Sequence, residues 1–87
     1  MDWYEVNRRR VETLFVDLEL AATFATVAES SVGPKRARNA ANAQRAYRTV
    51  KEKLSRLCAL TDQERALMRQ GLHDLDQRLR KLKAPSS

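Results

Sequence analysis

His73 is the only histidine in the chain and the first residue whose chemistry could define a function. A histidine exposed on a helix can accept a phosphoryl group, and phosphotransfer domains are helical bundles. Helical periodicity puts His73 about 140° from the leucine stripe of its segment, beside polar residues such as Arg69 and Gln77. Phosphotransfer domains usually have four antiparallel helices and a more structured setting for the histidine. We therefore favour a solvated surface histidine, with phosphorelay as the alternative.

Cys58 and two pairs of carboxylates are the remaining groups that could react. Cys58 falls on the apolar side of its predicted helix, which favours a small buried residue over a nucleophile. Asp17 with Glu19, and Asp74 with Asp76, are two residues apart and so point to different sides of a helix. The sequence contains no phosphate-binding glycine loop, zinc-binding spacing or nucleophile elbow. We expect no enzymatic activity, metal or cofactor.

The composition predicts a single helical domain that spans residues 1–87. A chain of 87 residues is near the lower limit at which one hydrophobic core suffices. It has only two glycines and two prolines among many Ala, Leu, Arg and Glu residues, which favours long helices over strands. Its one cysteine cannot form an internal disulfide, so we expect a reducing, cytoplasmic setting.

The segment after Arg8–Arg10 resembles a secretory signal at first sight, because an apolar run follows the three arginines. Glu12, Asp17 and Glu19 interrupt that run. Nowhere does the sequence offer the roughly 20 uncharged apolar residues that a membrane-spanning helix needs. We expect neither a signal peptide nor a membrane span.

Local signals predict three helices, over about residues 2–29, 34–58 and 62–83. The segment Ser30–Pro34 separates the first two, because Gly33 suits a chain reversal and proline suits the first helical position. Thr61 and Glu64 have the spacing of a capping box at the start of the third helix. Residues 85–87 are predicted to be a frayed tail.

The second and third predicted helices each carry one apolar stripe at alternating steps of three and four residues. The stripes consist of Ala40, Ala43, Tyr47, Val50, Leu54 and Leu57, and of Met68, Leu72, Leu75, Leu79 and Leu82. The short connection 59–61 makes these helices an antiparallel hairpin along which the first helix packs. The predicted fold is an all-α, three-helix antiparallel bundle. Phe15, Leu18 or Phe24 is expected to fill the alanine-lined half of the second helix.

The first predicted helix differs from the others because it carries two apolar stripes on nearly opposite sides. One comprises Tyr4, Val11, Phe15, Leu18, Ala22 and Ala25. The second comprises Val16, Leu20, Phe24 and Val27. A monomer would expose the second stripe, so it predicts an interface with another chain, as a two-fold homodimer or with a partner helix. In the alternative, the two other helices pack on either side of the first helix, and Leu20 and Phe24 face one of them. Leu18 and Ala22 then face the other.

Positive charge is concentrated on the second predicted helix. The net charge of +6 divides into −3 for residues 1–32, +7 for 33–60 and +2 for 61–87. Opposite the apolar stripe lies a basic face whose candidate nucleic-acid contacts are Arg38, Arg45, Arg48 and Arg56. This face has no interleaved aromatic residues for base stacking, so nonspecific nucleic-acid binding ranks behind protein–protein interaction.

Segments 17–24, 38–39, 42–43 and 46–50 together resemble short bacterial all-helical proteins that have no assigned activity. The resemblance covers about the middle third of the chain and implies an all-helical fold. It supplies no substrate. The sequence as a whole predicts a non-enzymatic protein–protein interaction module.

Overall fold

The computed structural model describes residues 3–57 and 60–83, and within them it confirms the all-α three-helix bundle. The helices are α1, Trp3–Glu29; α2, Gly33–Arg56; and α3, Asp62–Lys83. Their ends lie within two residues of the predicted ones wherever the chain is described. Cys58, the side chain of Tyr4 and the predicted tail at 85–87 lie outside the described residues. No described helix is long and apolar enough to cross a membrane.

The turn between α1 and α2 forms as its residues predict. Gly33 has a φ of 64°, a left-handed conformation that favours glycine, and Pro34 follows it in the first turn of α2. The Ser31 hydroxyl donates to the Val27 carbonyl at 2.6 Å, and the Ser31 backbone N–H donates to the Ala28 carbonyl at 3.2 Å. These bonds satisfy carbonyls that the end of α1 would otherwise leave without a partner.

The capping box at the start of α3 is also confirmed. The Thr61 hydroxyl accepts from the Glu64 backbone N–H at 3.1 Å, and the Glu64 carboxylate accepts from the Thr61 backbone N–H at 3.1 Å. The Arg8 guanidinium donates to the second Glu64 oxygen at 2.7 Å, which ties the beginning of α3 to α1. One glutamate therefore serves both a local cap and an interhelical contact.

Loss of this cap gives a stability prediction. Thr61→Ala removes the acceptor for the Glu64 N–H, and we expect it to lower the free energy of unfolding by about 1 kcal/mol in urea denaturation. Thr49→Ala is the control, because the Thr49 hydroxyl only donates to the Arg45 carbonyl within α2. Equal losses in the two variants would contradict a specific role for the cap.

Interhelical ion pairs define the directions of the helices. Lys53 Nζ lies 2.8 Å from the Asp17 carboxylate, so the end of α2 returns beside the middle of α1. Arg8 pairs with Glu64 near the starts of α1 and α3, and Arg78 pairs with Glu29 toward their ends. The helices therefore run up, down and up, with α1 parallel to α3. The molecule is elongated, with extents of 51 × 22 × 17 Å.

Two of these ion pairs make stability depend on pH. Hydrogen bonds from Arg78 lower the pKa of Glu29 below its usual 4.5, and the Thr61 N–H, followed by Arg8, lowers the pKa of Glu64. A carboxyl with a lowered folded-state pKa stabilises the fold above its unfolded pKa, and that contribution is lost as pH falls through the folded value.

We therefore expect the melting temperature to fall as the pH drops below about 4.5. The double variant Glu29→Gln, Glu64→Gln keeps a residue suited to the capping box but does not titrate, so its acid dependence should be flatter. The effect is modest because both carboxyls are near the surface. Thermal melts followed by circular dichroism between about pH 6 and pH 3 measure it. Identical pH profiles of wild type and variant would contradict the assignment.

Two clusters of buried side chains form the core. At one end Ala21, Ala25 and Ala43, all fully buried, pack with Leu75 and Leu79. The second cluster consists of Leu14, Val50, Met68 and Leu72. Leu18 and Phe24 pack against the alanine cluster, as predicted. Phe15 packs only against the second cluster. It lies nine residues before Phe24 in α1, which is more than two helical turns.

The buried face of α1 is broader than the sequence predicted. Val11 and Ala25 are buried as expected, but Leu14, Ala21 and Ala28 are also buried and belonged to neither predicted stripe. The reason is that α1 packs against α2 on one side and α3 on the other, so its buried centre lies between two contact lines.

Gly71 permits the close approach of α3 to α1, a role that the sequence analysis did not assign. A Cβ atom at position 71 would lie 2.6 Å from Leu18 Cδ2, which is shorter than real contacts allow. Leu18 therefore packs directly over Gly71, and a side chain at position 71 would require the end of the Leu18 side chain to move.

Candidate interaction surface

An outer stripe of side chains runs along α1 on the side away from the core. It consists of Thr13, Val16, Leu20, Thr23 and Val27, at alternating steps of three and four residues. Val16 is 59% exposed and Leu20 49% exposed, so this side of α1 presents aliphatic surface to solvent. Val27 is half-buried. This spacing matches the contact line of two packed helices.

The threonines of the outer stripe satisfy their own hydroxyl groups. Thr13 Oγ1 donates to the Arg9 carbonyl at 2.8 Å, and Thr23 Oγ1 donates to the Glu19 carbonyl at 3.0 Å. Each hydroxyl proton is thus used within α1, and the threonine methyl group remains for contact. A partner helix could cover these positions without leaving a hydroxyl donor unsatisfied.

Phe24 lies differently from the other residues of the predicted second stripe. It is half-buried and packs against the alanine cluster, beside Asn42 and Ala46 of α2. The alternative in which neighbouring helices pack on both sides of α1 therefore describes Phe24 correctly. It also describes Leu18, whose side chain lies against Gly71 of α3. Leu20 lines the same depression as Phe24, Asn42 and Ala46, so it borders α2 as that alternative has it. About half of the Leu20 side chain nevertheless stays in solvent, as does more than half of Val16.

The basic face of α2 is divided between structural and free arginines. Arg38, Arg45 and Arg48 are exposed, and no described residue forms an ion pair or hydrogen bond with their guanidinium groups. Arg56 pairs with Glu52 at 2.9 Å within α2. Three of the four candidate contacts are therefore available to an anionic partner.

The other candidate reactive groups are not brought together in the part of the chain that the structure describes. His73 is exposed on α3, and Cys58 lies outside the described residues. Asp17 accepts from Lys53, and Asp76 accepts from Arg80 within its own helix. Across residues 3–57 and 60–83, no group of three His, Cys, Asp or Glu side chains could hold a metal ion.

A groove that the sequence analysis missed opens between the first half of α1 and the end of α2. Its volume is about 470 Å³. Val6, Leu14 and Leu57 form an apolar floor, with Thr13 beside them. Four cations line its rim: Arg9, Arg10, Lys53 and Arg56. No local sequence signal reveals this groove, because it depends on how the two helices meet.

Comparison with known proteins finds no matching family model, no similar curated protein and no similar solved structure. The resemblance to short bacterial helical proteins therefore remains an expectation from the residues alone.

Proposed function

We propose that the protein is a protein–protein interaction module that forms a homodimer through α1. The interface consists of the outer stripe together with the edge of Phe24 that α2 leaves uncovered. The observation that carries this proposal is the exposure of Val16 and Leu20, 59% and 49%, on a helix whose opposite side is already buried. Soluble monomers seldom leave a contiguous apolar patch open.

A two-fold axis is the simplest way to cover this surface. In such a dimer the same stripe contributes to both sides, so Leu20 of each copy lies near the centre of the contact. Threonine methyl groups fill the positions between the aliphatic side chains. The lone cysteine, which cannot form an internal disulfide, favours the reducing cytoplasm as the setting.

Energetics make this a weak dimer. Full burial of a valine or leucine contributes about 1.5–3 kcal/mol, and roughly half of that remains to be gained at each exposed position. Association costs at least about 4 kcal/mol in lost translational and rotational freedom. Counted over the partly exposed apolar residues of both copies, Val16, Leu20, Phe24 and Val27, these terms leave only a small surplus. We therefore expect a dissociation constant in the millimolar range.

A negative charge introduced at the centre of the stripe tests the proposal. At about 1 mM protein, Leu20→Glu should reduce the mass measured by light scattering to that of a single 10.0 kDa chain, because two glutamates would face each other. Leu67→Glu on α3 is the matched control: Leu67 is 56% exposed, so the same change is made in a similar helical setting. It should leave the mass unchanged.

Two outcomes contradict self-association through α1. One is a wild-type mass of 10.0 kDa at the same concentration, and the other is an equal effect of the two substitutions. Circular dichroism of both variants checks that each remains helical.

Nonspecific nucleic-acid binding is the second candidate function, and the free guanidinium groups of Arg38, Arg45 and Arg48 are the observation that favours it. An electrophoretic mobility shift at low salt should show binding that weakens steeply as salt is added. Replacing these three arginines by glutamine should weaken the binding markedly and make it less dependent on salt. Absence of a shift at low salt would exclude this function.

A further inference from the structure

The groove between α1 and α2 combines an apolar floor with a strongly cationic rim. Its floor is Val6, Leu14 and Leu57, and we call the whole feature the basic groove. Its volume of about 470 Å³ lies within the range of sites that bind ligands. Among the described residues that line it, Thr13 is the one that is polar and uncharged, and none is acidic.

The cations stand on both walls of the basic groove. Arg9 and Arg10, both exposed, come from α1. Lys53 and Arg56 come from α2, and their side chains are 51% and 77% exposed. Each of these two α2 cations forms an ion pair with a carboxylate that does not itself line the groove. Lys53 pairs with Asp17, and Arg56 pairs with Glu52. The rim therefore carries more positive than negative charge, and an occupant with acidic groups along both edges would complement it.

The length of the floor indicates the kind of occupant. Val6 and Leu14 are eight residues apart on α1, which corresponds to about 12 Å along the helix, or two turns. A second helix presents apolar side chains at positions i, i+4 and i+7 over nearly the same distance. An open, two-turn apolar floor between two antiparallel helices thus fits the stripe of a short amphipathic helix.

We propose that the basic groove binds an acidic amphipathic helix of a partner protein, with aliphatic residues at i, i+4 and i+7 and glutamate or aspartate on both flanks. The aliphatic side chains contact Val6 and Leu57, and they lie over Leu14, which closes the bottom of the groove and is 1% exposed. The acidic flanks lie beside Arg9 and Arg10 on one wall and Lys53 and Arg56 on the other. This interaction uses different residues from the outer stripe apart from Thr13 at its edge, and it does not depend on self-association.

A fluorescently labelled synthetic peptide tests the proposal by anisotropy. The peptide carries leucines at i, i+4 and i+7 with glutamates at the flanking positions. A scrambled peptide of the same composition, with its leucines distributed around the helix, is the peptide control. We expect the first peptide to bind, the scrambled peptide to bind at least tenfold more weakly, and binding to weaken with added salt.

Charge reversals in the protein locate the binding. Arg9→Glu with Arg10→Glu should weaken binding about tenfold or more, because two cations of the rim become like charges to the peptide. Arg38→Glu with Arg48→Glu is the matched control, since it changes the net charge equally and lies outside the groove. It should alter the affinity by about twofold or less.

The floor and the dimer surface provide two further variants. Val6→Gln should weaken peptide binding several-fold while circular dichroism shows an unchanged helix content. Leu20→Glu, which disrupts the proposed dimer, should bind the peptide as the wild type does. The mass measurement therefore tests the homodimer, and the anisotropy measurement tests the basic groove independently of it.

Three results would overturn the proposal: no binding of the acidic peptide at low salt, equal binding of the scrambled peptide, or equal losses in the two charge-reversal pairs. The last result would show that net charge alone attracts the peptide.

Discussion

Replacing Leu14 by alanine should lower the free energy of unfolding by about 2–5 kcal/mol, measured by urea denaturation with circular dichroism. Leu14 is 1% exposed and packs with Val50 and Met68 in the second core cluster. The substitution removes buried methyl groups and leaves a cavity that the surrounding helices fill only in part. A domain of this size has a total stability of only about 4–13 kcal/mol, so the variant should be close to unfolding at room temperature.

Leu67→Ala provides the comparison for this prediction. Leu67 is 56% exposed on α3, and its truncation should change the stability by about 0.5 kcal/mol or less. Similar losses in the two variants would show that Leu14 is not part of a specifically packed core.

Enlarging Ala25 to leucine is the second change with a large expected effect. Ala25 is fully buried with Ala21 and Ala43, where α1 approaches its neighbours closely. Three additional carbon atoms at this position must push the helices apart or force side chains out of their preferred rotamers. We expect a loss of about 1–3 kcal/mol or more, despite the high helix propensity of leucine.

Ala41→Leu is the control for overpacking, because Ala41 is exposed on α2 and leucine can extend into solvent there. Urea denaturation should give a midpoint near that of the wild type for Ala41→Leu and a clearly lower one for Ala25→Leu. A stabilised Ala25→Leu variant would mean that the alanine cluster is loosely packed.

The fold could be predicted from the sequence because its determinants are local. Gly33 and Pro34 mark one connection, and the Thr61–Glu64 capping box marks the other. The stripes of α2 and α3 are recognisable because those helices bury one side each, as Val50 and Leu75 show. Short connections then leave few ways to arrange three helices.

The surfaces of α1 could be predicted only in part. Its buried side faces two helices. The burial of Leu14 and Ala21 therefore depends on the relative positions of α2 and α3, and a single helical spacing of apolar residues does not predict it. Phe24 was predicted both as part of the second stripe and as a side chain that fills the alanine-lined half of α2, and it packs beside Ala46. Val16 and Leu20 are 59% and 49% exposed, as predicted for the second stripe, although Leu20 also borders α2.

Contacts between distant residues left no signal in the sequence. The charge totals showed an acidic first helix and a basic second one, but they did not show that Lys53 meets Asp17. The pairing of Arg78 with Glu29 was equally hidden. The basic groove exists because Val6 and Leu57, which are 51 positions apart, line the same depression.

Self-association through the outer stripe is tested most directly by the mass of the wild-type chain in sedimentation equilibrium, over a concentration series from about 10 µM to a few millimolar. We predict a mass near 10.0 kDa at the lowest concentration that rises toward twice that value at the highest, while Leu20→Glu stays near 10.0 kDa throughout. A wild-type mass of 10.0 kDa at every concentration would contradict the proposed homodimer.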